Sequence, residues 1–160
     1  MKKVFHFDSQ TDHYRADACV VSCFDARFEL VTRKFLKRRA IWWNDPLKIA
    51  GGAKIFASPA DESERSFALS QVADFHAAPP HHSNSIDGAQ RLRRLRRPVQ
   101  AFGGDEESEA AHHEAELRAA EQFLKSNVPA IDVECVYLRF TGVWALEAQS
   151  HPTRQGKEYF

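Results

Sequence analysis

Cys23-Phe24-Asp25-Ala26-Arg27 is the segment of this chain whose residue types and spacing are best suited to chemistry. A thiolate can hold a soft or borderline metal ion. A carboxylate two residues on can accept a hydrogen bond from a metal-bound water, and an arginine two further can keep that carboxylate ionised and in place. The same residues have a plainer interpretation. A cysteine at the end of a buried strand is usually a small hydrophobe, and an Asp–Arg pair in a turn often only braces a loop. A motif of three residues leaves both readings open. A phosphatase-type loop is set aside, because Arg27 is too near Cys23 and no glycine-rich cradle separates them.

Other groupings are weaker. His112-His113-Glu114 are adjacent, not four apart as a zinc-binding helix pair requires, so a solvated face is expected there. Arg91–Arg97 could meet phosphates, but no aromatic residue interleaves. Trp42-Trp43 would cap the core or make a dimer contact.

The elements that must position Cys23 are readable on either side of it. Ala18–Cys23 is a short β-branched and small apolar run, as expected of a strand buried on both faces. Phe28, Leu30, Val31, Phe35 and Leu36 then recur at helical spacing, with basic residues between them. Pro46–Ala50 reads as a second strand stopped by Gly51-Gly52, and Pro59-Ala60-Asp61-Glu62 opens a further helix. Asp105–Lys125 is the most secure helix, Val133–Leu138 the best late strand, and Gly142–Leu146 its hairpin partner. Strand and helix alternation predicts an α/β fold with a mainly parallel central sheet and helices on both faces. A single domain over 17–150 is expected, with an N-terminal arm over 1–16 and a tail over 151–160. Pro79–Pro98 fits poorly. Two prolines, then five arginines in seven residues (Arg91–Arg97), make a poor central strand, so an irregular loop is expected there.

The composition narrows the function classes. The 160 residues suffice for one domain, and 43% hydrophobic content can fill one core. With 22 basic and 22 acidic residues the net charge is zero, which argues against nucleic acid and membrane as partners. No apolar run is long enough to span a bilayer, and the lysines at the start have no apolar stretch behind them. Three cysteines suit a reducing compartment rather than a disulfide framework, so a cytoplasmic protein is expected.

Cys23-x-Asp25-x-Arg27 followed by a helix, then a strand ending in Ala50-Gly51-Gly52, resembles the first half of a β-class carbonic anhydrase, in its short, divergent form. Phe102-Gly103-Gly104, the acidic helix and Gly142-Val143-Trp144 are similar in order to those short members. The resemblance implies a zinc enzyme that hydrates carbon dioxide reversibly to bicarbonate, working as a homodimer. Cys23 would be the first zinc ligand. Asp25 would orient or exchange with the zinc-bound water, Arg27 would be its partner, and the main chain of Gly51 and Gly52 would line the substrate pocket. The family's second ligand pair, His-x-x-Cys followed by Gly-Ala, is matched only by His82-Ser83-Asn84-Ser85 with Gly88-Ala89 behind it. His82 would then be the second ligand, and Ser85 stands where the family has a cysteine. Asp87 or His81 could supply the missing donor. Counting back from Phe102 instead puts the pair near Arg96 and Val99, which bind no metal. An incomplete zinc site would leave a non-catalytic relative, a module that binds a small anion or a partner. The abrupt composition of this stretch also fits a change of reading phase, since Arg-Leu-Arg codons read one base later can begin Asp-Cys-Gly.

Overall fold

The computed structural model describes residues 2–8, 14, 16–77, 91–95 and 106–146. The fold is mixed α/β. In chain order it runs β1 (Ala18–Ser22), a 3-10 turn (Ala26–Phe28), α1 (Glu29–Arg38), β2 (Asn44–Lys48), α2 (Lys54–Ala57), α3 (Glu62–Ala77), β3 (Arg91–Leu95), α4 (Glu106–Asn127), β4 (Asp132–Glu134), β5 (Val136–Arg139) and β6 (Gly142–Ala145). Four strands form one sheet in the order β2-β1-β3-β4, and every pairing in it is parallel. β5 and β6 form a separate antiparallel hairpin.

All five residues of β1 are buried, and their alternation sorts the core. Ala18 and Val20 pack with Leu36 of α1 and Ile41. Cys19 and Val21, on the other face, join the main core with Ala53, Phe56, Ala68, Val72, Leu117 and Leu124. A run apolar at every position is what a strand between two packed layers needs. The hairpin makes a third cluster, in which Phe28 packs on Val136 and Leu138.

Three elements differ from the sequence expectation. β2 begins at Asn44, two residues before Pro46, and ends at Lys48. Its place at the sheet edge explains how it tolerates Pro46, since an edge strand has one row of backbone groups that needs no ladder partner. Val133–Leu138 is not one strand. Residues 132–134 pair with β3, residues 136–139 turn away into the hairpin, and Cys135 lies at the break. Within the stretch expected to be a loop, Arg91–Leu95 forms β3, between β1 and β4. Its register pairs Val20 with Arg93, Ser22 with Leu95 and Leu92 with Val133. The run contains no proline, so every backbone N–H can join a ladder, and flanking strands on both sides outweigh poor intrinsic preference. The remainder of Pro79–Pro98 lies outside the described residues.

Cys19 is 4% exposed and its thiol is pushed up to about 12, chiefly by burial and secondarily by the Asp45 carboxylate. The native state therefore keeps a proton that the unfolded chain releases above its own pKa, near 9.0. This contribution to stability is complete below that value and is lost as pH rises toward about 12, at about 1.4 kcal/mol per pH unit in the window. Denaturant midpoints measured between these limits are expected to fall more steeply for the wild type than for Cys19→Ala. Equal slopes would refute the assignment.

Candidate functional site

The chain order places a topological switch point at the end of β1. β1 lies between β2 and β3, so the connection leaving β1 runs to one side and the connection entering β3 arrives on the other. In an open α/β sheet, ligands bind at the carboxyl ends of the strands where the order reverses in this way. Cys23 is the first residue beyond β1 at that end. It is half-buried and, like Cys19 and Cys135, in no disulfide. Ser22, beside it, is buried, and its Oγ has no hydrogen-bond partner among the described residues. The exposure difference predicts thiol reactivity. A thiol reagent such as Ellman's is expected to titrate Cys23 in the native protein, and Cys19 and Cys135 only after denaturation. Labelling of Cys19 before Cys23 in the native state would contradict this placement.

Asp25 and Arg27 are brought together. Arg27 Nε donates to Asp25 Oδ1 at 3.0 Å and Nη2 donates to Oδ2 at 2.7 Å, a two-point fork. Asp25 also caps the 3-10 turn, its Oδ1 accepting from the backbone N–H of Arg27 at 3.1 Å. The hydrogen bond to Asp25 pushes the guanidinium pKa still further up, so Arg27 stays charged. The carboxylate is sheltered and the guanidinium more open, with side chains 12% and 53% exposed.

The far side of Arg27 rests on the hairpin. Its guanidinium lies over the Phe140 ring, 5.1 Å from the centroid, and Phe140 stacks on Phe28 at 5.0 Å. Arg27 is thus held between Asp25 and Phe140. The residue contributed by the β5–β6 turn is one that sequence inspection missed, because it lies more than a hundred positions from the residue it supports.

Gly51 and Gly52 follow β2 at the same end of the sheet, with φ of 72° and 61°. Both stand in the left-handed region where glycine carries no Cβ penalty. Gly52 N–H donates to Ile49 O at 2.9 Å, closing a tight turn that leads into α2. His82, Ser85, His81 and Asp87 lie outside the described residues.

Of His112, His113 and Glu114, expected on a solvated face, His112 and Glu114 are exposed, but His113 on α4 is 1% exposed, and Glu116, one turn on, is 9% exposed. The His113 ring lies 5.0 Å from that of Tyr137 on β5. Its Nε2 is 3.5 Å from Glu109 Oε1, which accepts from Tyr137 Oη at 3.0 Å. Glu116 Oε1 accepts from Ser58 Oγ at 2.7 Å. His112, His113 and Glu116 place their donor atoms within 4.8 Å of one another, the one such group of three metal-binding side chains among the described residues. The spacing that signals it runs from the histidine pair to Glu116, not to Glu114. Positions three and four apart share a helix face.

Compared with known proteins, the chain matches no family model, no curated protein and no solved structure. Among the described residues, no helix is long and apolar enough to cross a membrane.

Proposed function

We propose that the chain is a β-carbonic-anhydrase-like zinc lyase, with a mainly parallel central sheet, that hydrates carbon dioxide reversibly to bicarbonate. The observation that carries it is the Asp25–Arg27 fork set beside the free, half-exposed thiol of Cys23 at the switch point of the sheet. The donor chemistry of Cys23 fits zinc, and the buried hydroxyl of Ser22 is a further polar group beside it. Cys23 and His82 would hold the metal, which when bound lowers the pKa of a water so that hydroxide is available near neutral pH.

The chain's own residues then have separate tasks. Arg27 keeps the carboxylate ionised and fixes its plane, with Phe140 limiting the swing of the guanidinium. Asp25 supplies an acceptor that orients the attacking oxygen and takes up its proton. The turn at Gly51-Gly52 borders the substrate space with main chain rather than side chains, suited to a small apolar molecule. The cytoplasm and a homodimeric state belong to this reading.

One observation favours a second reading, a non-catalytic relative that binds a small anion or a partner. Among the described residues, no set of three metal donors gathers at Cys23. Thiolate ligation and carbon dioxide hydration of the metal-loaded protein separate the two. The enzyme reading expects hydration, and the thiolate charge-transfer band of the cobalt(II) form, both to be lost in Cys23→Ser. Hydration at the background rate in zinc-loaded wild type would defeat it.

A further inference from the structure

We propose that His112, His113 and Glu116 form a second site, independent of Cys23, that binds a divalent transition-metal cation through two imidazoles and a carboxylate. The helix itself builds the triangle. Glu116 is three residues beyond His113 and four beyond His112, so its carboxylate reaches the same face as both rings. His112 Nε2 is already 3.7 Å from Glu116 Oε2, and all three donor atoms lie within 4.8 Å. Donors around a tetrahedral zinc at its usual bond lengths stand about 3.4 Å apart.

The surroundings are those of a supported metal site rather than a chance surface cluster. Metal-bound imidazoles usually carry a carboxylate on their other side, and metal-bound carboxylates are themselves hydrogen-bonded. Here Glu109, held by Tyr137 Oη, stands 3.5 Å from His113 Nε2, and Ser58 Oγ donates to Glu116 Oε1 at 2.7 Å. These supports come from α4 itself, from β5 and from the residue after α2, so three separate elements hold the donors. A carboxylate as buried as Glu116 also favours a neighbouring positive charge. With His112 half-exposed, the fourth coordination position faces solvent, where water or a small ligand can enter. Two nitrogens and one oxygen suit zinc, cobalt or another first-row divalent ion better than calcium or magnesium.

The test uses the full chain, stripped of metal by a chelator and then titrated with zinc against a chromophoric competitor. Cys23→Ser is expected to take up about one zinc per chain, and its cobalt(II) form to show d–d bands without a thiolate charge-transfer band. Adding His112→Ala, at a half-exposed position where folding is preserved, is expected to weaken zinc binding by roughly 100-fold or more. Ser58→Ala is expected to weaken it by roughly 10-fold. Absence of zinc uptake in Cys23→Ser, or an affinity unchanged by His112→Ala, would overturn the proposal. Either result leaves the Cys23 reading to be judged by its own thiolate band and hydration assay.

Discussion

Asp25→Asn is expected to lower the carbon dioxide hydration rate of the zinc-loaded protein by roughly 10²–10⁴-fold, the usual worth of a positioned proton acceptor. The substitution is chosen because Asp25 has two jobs. As the cap of the 3-10 turn it accepts from the Arg27 backbone N–H, and an asparagine oxygen can still do this. As a carboxylate it engages Arg27 at both oxygens, and that charge-assisted fork is lost. The unfolding midpoint should therefore change little while the rate collapses. A residue that served only as a loop brace would show the opposite pattern, a lowered midpoint with an unchanged rate and pH profile. Stopped-flow hydration and denaturant unfolding on the same preparation decide between them.

Phe56→Ala is expected to destabilise the fold by about 3–5 kcal/mol, the range for removing a buried aromatic side chain. Phe56 is 1% exposed and sits where α2 meets α4. It stacks on Phe123 with ring centroids 6.2 Å apart, and the Arg65 guanidinium covers the far ring at 4.9 Å. Ala53, Ile55, Leu117 and Ala120 join it in the same cluster. The space cannot be refilled locally, because α2 is a helix of only 4 residues fixed between the Gly51-Gly52 turn and α3. Against a total stability of about 5–15 kcal/mol the loss is a large fraction, visible as a thermal midpoint lower by roughly 10 °C. A fall below about 1 kcal/mol would mean that α2 is not part of the cooperative core.

These effects depend on features that the sequence shows to different degrees. α4 was visible because its Glu- and Ala-rich composition favours a helix along its whole length, whatever it packs on. β1 was visible because every position is small or β-branched and apolar. The Asp25–Arg27 contact was visible because two residues so close in sequence need only a turn between them to meet. In each case the determining interactions are local.

Contacts distant along the chain decided the rest. Arg91–Leu95 has a composition that disfavours a strand. It became one because backbone groups of β1 and β4 stand ready on both sides, and no scan of the segment alone contains those neighbours. Val133–Leu138 looks continuous in sequence, but its two halves pair with different partners. His113 and Glu116 would be solvated on an isolated helix. Tyr137 of β5 and Ser58 after α2 bury them, and so turn an unremarkable polar stretch into the triad of donor atoms. Phe140 reaches Arg27 only because the hairpin folds back onto Phe28. The sequence by itself determined the mixed α/β class, the long helix and the Cys23-Asp25-Arg27 cluster, since each depends on nearest-neighbour preferences. Tertiary structure alone decided which polar side chains share a low-dielectric space, because burial is a property of surfaces that meet.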